Sequence, residues 1–158
     1  MDALLRLLDK NARLTNAQLA AMTGMKEEEV AAAIADYERR GVIRGYRALI
    51  DWDKTDRQYV EANIEVKVVP KPEMGFEEIA EKLMQFEEVE TVSLMSGSYD
   101  IALTISGHSF KDVAFFVARK LAPLGSVQST STNFVLKRYK ENGITCCDLD
   151  KDEREVNI

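Results

Sequence analysis

Three short stretches of helical apolar spacing crowd the first forty residues, and only Thr23-Gly24-Met25 separates the second from the third. They cover residues 2–11, 15–22 and 26–40. Helices this short are marginal alone and must bury their stripes against one another. A tight link containing glycine forces the last two to cross sharply, which is the outline of a helix-turn-helix. A module of that kind lays its last helix in a DNA groove.

The individual residues agree with that outline. Leu4, Leu5, Leu7 and Leu8 form the stripe of the first helix, with Arg6, Asp9 and Lys10 outside. Thr15 and Gln18 form a capping box at the start of the second. Leu19, Ala20 and Met22 are its expected buried face. Val30, Ala33, Ile34 and Tyr37 are the expected core face of the third helix, which Gly41 stops. Residues 42–50 alternate and predict a strand or wing.

The second half carries a different pattern. Polar residues 51–57 read as a linker. Ala62, Ile64, Val66 and Val68 then alternate with Glu61, Asn63, Glu65 and Lys67, the signature of a half-buried strand over 59–69. Phe76, Ile79, Ala80, Leu83 and Phe86 make an amphipathic helix. Strands over 89–95 and 99–106 follow, joined across Ser96-Gly97-Ser98. Ser109 and Asp112 cap a helix expected to bury Phe110, Val113, Phe116, Val117 and Leu121, and a long strand over 127–139 closes the series. The order β-α-β-β-α-β is the ferredoxin-like arrangement, with a four-stranded antiparallel sheet. The expected fold class is α+β: a winged-type helix-turn-helix over 1–50, a linker over 51–57, a ferredoxin-like ligand-binding and oligomerisation domain over 58–143 and a charged tail over 144–158. Two helices cover one sheet face, so a partner chain is expected on the other, making a dimer.

Charge is divided between the halves. Residues 1–50 hold eight Lys/Arg and seven Asp/Glu, whereas 51–158 hold thirteen and twenty. A near-neutral head is a weak electrostatic footprint for DNA, because phosphate neutralisation supplies most non-specific affinity. No apolar run approaches the roughly 20 residues that span a bilayer, and the first residues lack the basic start of a signal peptide. Cys146-Cys147 is a poor disulfide pair and has no second pair for zinc. A reducing cytoplasm is the expected compartment, with no metal and no cofactor.

Several local motifs, in order, resemble the Lrp/AsnC family of prokaryotic regulators over about residues 2–143. They are Leu8-Asp9-Lys10-Asn11-Ala12-Arg13, Gln18-Leu19-Ala20 and Gly41-Val42-Ile43-Arg44-Gly45-Tyr46 in the first half. In the second they are Gly97-Ser98-Tyr99-Asp100, Ser129-Thr130-Ser131-Thr132 and Val135-Leu136-Lys137. The resemblance implies a dimer built through the second domain, tetramers or octamers assembled from it, and amino-acid effectors bound where dimers meet.

The outward face of the third helix is expected to hold Lys26, Glu27, Glu28, Ala31, Ala32, Ala35 and Arg39. Family members usually carry Arg or Ser/Thr there, including an Arg where this chain has Ala33. Glu27, Glu28 and Glu29 either stabilise the positive helix N-terminus or, at one position, accept from a cytosine amino group. Arg13, Thr15, Asn16, Arg39, Arg44 and Arg47 are candidates for positioning contacts, and Arg39 and Arg40 are equally well read as solvated surface charges. For the effector, the candidates are Ser96, Gly97, Ser98, Tyr99 and Asp100 with Thr130, Ser131 and Thr132. Gly97 and exposed amides would meet a carboxylate and Asp100 an α-amino group. The alternative is a plain hairpin turn in which Asp100 caps backbone amides.

His108 reads as a solvated loop residue, Cys146-Cys147 as an inert pair, and Met22, Met25, Met74, Met84 and Met95 as core. Trp52 is expected between the domains or against a partner chain. The function expected is a transcriptional regulator that binds double-stranded DNA under control of a small amino-acid effector, and not an enzyme. A sensor of the same fold with weak DNA affinity is the alternative. Siroheme decarboxylases also resemble this architecture, but they carry Tyr-Asn where this chain has Tyr99-Asp100, and a basic porphyrin pocket is not apparent here.

Overall fold

The computed structural model describes residues 3–70 and 75–146. They form two compact units, divided between Ile50 and Asp51.

The first unit holds α1 (Ala3–Lys10), α2 (Asn16–Thr23) and α3 (Glu27–Arg39). The expected capping box is present: Gln18 N–H donates to Thr15 Oγ1 at 3.2 Å, and Thr15 N–H donates to Gln18 Oε1 at 2.9 Å. Gly24 ends α2 with φ 75°, its N–H donating to the Ala20 carbonyl at 2.9 Å. That left-handed conformation costs a residue with a Cβ about 1–2 kcal/mol. Leu4, Leu8, Leu19 and Val30 form the core, with Leu7, Leu14, Ala33, Ile34, Tyr37 and Ile43 packed on it. Met22 is exposed, contrary to expectation. Ala20 and Thr23 flank Leu19 on the inward side, which turns Met22 away. Residues 44–50 form no strand, because an extended segment needs a neighbouring strand and its own unit is helical. Tyr46 instead donates its hydroxyl to Glu38 at 3.0 Å.

The second unit holds β1 (Val60–Val68), α4 (Phe76–Met84), β2 (Val89–Leu94), β3 (Ile101–Gly107), α5 (Phe110–Phe116) and β4 (Val127–Phe134). A π-turn over Val117–Leu121 extends α5. The sheet order is β2-β3-β1-β4, with antiparallel pairing throughout. Ala62, Ile64, Val66 and Val68 face the helices beside Ile101, Leu103 and Ile105, and meet Ile79, Leu83, Val113, Phe116 and Leu121. Burying each such Val, Leu, Ile or Phe stabilises by roughly 1.5–3 kcal/mol.

Four features depart from the sequence reading. Phe110 is 56% exposed. It stands at the first position of α5, ahead of the layer, with its ring edge-on to Phe134 at 4.8 Å. Met84 and Met95 are exposed, and Met74 lies outside the described residues. The last strand stops at Phe134, not Tyr139, and is followed by a small hairpin of β5 (Lys140–Glu141) and β6 (Ile144–Thr145). Asn142 (φ 46°) and Gly143 (φ 83°) turn it, and Arg138 pairs with Glu61 and Glu141 on its approach. The hairpin takes in the start of the expected tail, whose residues 147–158 lie outside the described residues.

The expected linker belongs to the second unit. Trp52 stands beside Tyr59 within that unit, ring centroids 5.9 Å apart. Arg57 lies 4.4 Å over its ring and 5.4 Å over that of Tyr59. The sheet face away from the helices carries Glu61, Asn63, Glu65 and Lys67, flanked by Ser131 and Thr104. It is polar, so hydrophobic burial alone does not demand a cover for it.

Candidate functional site

The α3 helix buries one face and leaves the other bare. Val30 is fully buried, with Ala33, Ile34 and Tyr37 packed beside it. Glu27, Glu28, Ala31, Ala32, Ala35 and Arg39 are all exposed, on the outward face the spacing predicts. Glu29 is used within the helix, since its Oε2 accepts from Lys26 N–H at 2.9 Å. Glu27 and Glu28 stay in the first turn, where the helix dipole favours carboxylates.

The basic residues of this unit are partly engaged. Asp36 pairs with Arg39 and, at 2.6 Å, with Arg40 Nε. Sequence reasoning treated both arginines without Asp36, although carboxylate and guanidinium at three- and four-residue spacing on a helix signal such pairing. Arg13 and Lys26 are exposed near the starts of α2 and α3, and Arg47 is exposed beyond α3. Arg44 folds back so closely that a Cβ on Gly41 would meet its Cζ at 3.2 Å. The Thr15 hydroxyl caps α2, and Asn16 is half-buried at its first position.

The second candidate is the turn between β2 and β3. Ser96, Gly97 and Ser98 are exposed, and Tyr99 and Asp100 are half-buried. Asp100 ties three stretches of the chain together. Its N–H donates to Val66 O at 3.1 Å, its carbonyl accepts from Met95 N–H at 2.8 Å, and its Oδ2 accepts from Val68 N–H at 2.9 Å. Thr130 flanks Val66 from the other side. Asp100 and Thr130 therefore sit two strand spacings apart, about 10 Å. Thr130 and Thr132 share the helix side of the sheet with Val66 and Ile64, whereas Ser131 points to the opposite face. The hydroxyls are thus split between two surfaces.

Gly97 has neither a positive φ nor a neighbour within 4 Å of a built Cβ. Nothing among the described residues demands a glycine there. His108 is exposed in the loop before α5. Cys146 is half-buried, its N–H donating to Tyr139 O at 2.9 Å, and Cys147 lies outside the described residues. Among the described residues, no three His, Cys, Asp or Glu converge as a metal site, and no helix is long and apolar enough to cross a membrane.

Comparison with known proteins matches both units. Residues 3–44 fit the model of a winged helix-turn-helix DNA-binding domain, and residues 61–145 fit that of the Lrp/AsnC ligand binding domain. The chain is 46% identical to the HTH-type transcriptional regulator YugG of Bacillus subtilis, over 97% of this chain and 93% of the relative. It is 30% identical to the HTH-type transcriptional regulator LrpA of Pyrococcus abyssi, over 87% and 94% respectively. Its fold superposes with a TM-score of 0.73 on a Neisseria meningitidis transcriptional regulator solved as its L-Met complex, at 24% identity, over 89% of this chain and 93% of that one. With a matching model over more than half of its length and a near relative along almost all of it, the chain belongs to the Lrp/AsnC family of transcriptional regulators.

Proposed function

We propose that this chain binds double-stranded DNA through α3 and that a small amino-acid-type effector at the Ser96–Asp100 turn controls the binding. The observation that carries the DNA reading is the one-sided burial of α3. Its inner face is fixed by Val30 and its neighbours, while the outer face from Glu27 to Arg39 is exposed. Ala31, Ala32 and Ala35 suit contact with thymine methyl groups, and Glu27 or Glu28 could accept from a cytosine amino group. Arg13, Lys26 and Arg47 supply phosphate contacts.

For the effector, Gly97 supports the reading, because its missing Cβ leaves room for an outside molecule to reach the backbone. Asp100 offers a carboxylate nearby, and the Neisseria relative is a complex with an amino acid. A dimer closed through the polar sheet face would hold two such modules together, and linkage of weak modules raises overall affinity.

The pairing of Arg39 and Arg40 with Asp36 favours one second reading, a sensor of the same fold with weak DNA affinity. A gel shift separates the two. DNA from upstream of the protein's own gene should be retarded at low salt and released as salt rises. No retardation at low salt overturns the DNA reading.

A further inference from the structure

The outer side of α5 carries a cationic and aromatic row that packing on the sheet does not use. Lys111, Phe115 and Arg119 follow one another at four-residue spacing, which aligns them along the helix and its π-turn. Lys111 Nζ lies 5.3 Å from the centroid of the Phe115 ring, and Arg119 Cζ lies 4.4 Å from it. Phe115 is nonetheless 41% exposed, and Phe110 at the head of the helix is more so. Among the described residues no carboxylate pairs with Lys111 or Arg119. We propose that this row is the docking surface for the chain's own acidic C-terminal segment, residues 148–158.

Charge complementarity selects that occupant. The segment holds Asp148, Asp150, Asp152, Glu153 and Glu155 against Lys151 and Arg154. Leu149, Val156 and Ile158 supply apolar groups for the two exposed rings. The neighbouring helix is not an equal target, because α4 exposes Glu77, Glu78 and Glu81. The further cation of this region, Lys120, is already taken by Glu88.

Reach agrees with charge. α5 begins at the end of the sheet from which the segment departs. Phe110 packs edge-on against Phe134, the last residue of β4. Arg138 ties the approach to the following hairpin back to Glu61 on β1, and Cys146 is the last described residue. Residues 147–158 reach about 40 Å when extended. The seven residues of α5 and the five of its π-turn measure about 18 Å. Attachment to the same chain also gives the segment an effective concentration of millimolar order, which favours it over an acidic stretch of another molecule.

Carbodiimide coupling of the full chain tests this, because it joins an amine to a carboxylate only where the two meet. Mass spectrometry assigns the amides. At low salt Lys111 should couple to Asp152, Glu153 or Glu155. The Lys120–Glu88 amide is the internal standard and reports that the unit is folded. Arg119→Glu should lower the Lys111 yield about fivefold relative to that standard, the effect of one exposed ion pair at its upper range. Phe115→Ala should lower it too. So should about 1 M salt, where the screening length is about 3 Å. Isotope-labelled and unlabelled chains, refolded together, distinguish coupling within a chain from coupling between copies. Absence of the Lys111 amide while Lys120–Glu88 forms overturns the proposal. So does an undiminished yield in Arg119→Glu. Coupling of the segment to Lys10 or Lys26 of the first unit instead would also overturn it. Amides found only between copies would assign the row to self-association and overturn docking within the chain.

Discussion

Asp36 lies three and four residues before Arg39 and Arg40, and its carboxylate engages both guanidiniums on the surface of α3. Exposed pairs of this kind contribute about 0–1 kcal/mol to stability, so under the proposed function their weight would fall on DNA binding rather than on the fold. Replacing Asp36 by Asn keeps the shape and frees two cations. The expected outcome is tighter binding at low salt. The slope of log affinity against log salt should steepen by about 1 for each guanidinium that reaches a phosphate. Gel shifts of both proteins at several salt concentrations measure it, and an unchanged slope would mean that neither arginine approaches the backbone. The outward positions of Glu27, Ala31 and Ala35 were legible in the sequence because helical spacing alone fixes them. The use of Glu29 to hold the Lys26 amide was not read, although its three-residue spacing is that of a capping box.

At the scale of elements, the β-α-β-β-α-β order could be read because each strand alternates and each helix carries a stripe. The β4 register was harder, since Ser129 to Thr132 are all small and polar and only pairing with β1 tells which side each faces. The hairpin at Asn142-Gly143 was there to be read, because this pair favours the left-handed conformations of a tight turn. The charged context around it obscured the signal. Lys120 and Glu88 were missed for another reason. They lie on the π-turn after α5 and the corner before β2, and only the folded chain brings them together. That corner gives a pH prediction. Lys120 lowers the Glu88 carboxyl from its usual value. Its stabilising contribution is thus present above the unfolded carboxylate range, near pH ~4.3, and is lost as pH falls through the lower folded value. The stability difference between the wild type and Lys120→Ala should therefore be largest near neutrality and shrink on acidification. Urea unfolding at a series of pH values checks this, and a difference independent of pH would remove the pair from the account.

At the scale of the whole molecule, the polar sheet face is the surface through which the proposed dimer would close. If two copies close through it, light scattering should give a mass of at least twice 17.8 kDa. Thr104 lies on this face and donates its hydroxyl to Asn63 Oδ1 at 3.2 Å. Thr104→Lys retains a donor for Asn63 but places a long cation in the plane of contact. Its mass should fall to that of a single chain while the circular dichroism spectrum stays the same. A wild type that runs as one chain would overturn the dimer. Asp100 has a different consequence. Its carboxylate is held by the Val68 amide, and Val68 is the last residue of the central strand β1. A ligand amine that takes hold of Asp100 must share that bond or release it. Occupancy of the turn would then be written into the solvent-exchange rate of one backbone proton, a readout that needs neither DNA nor an added label on the ligand.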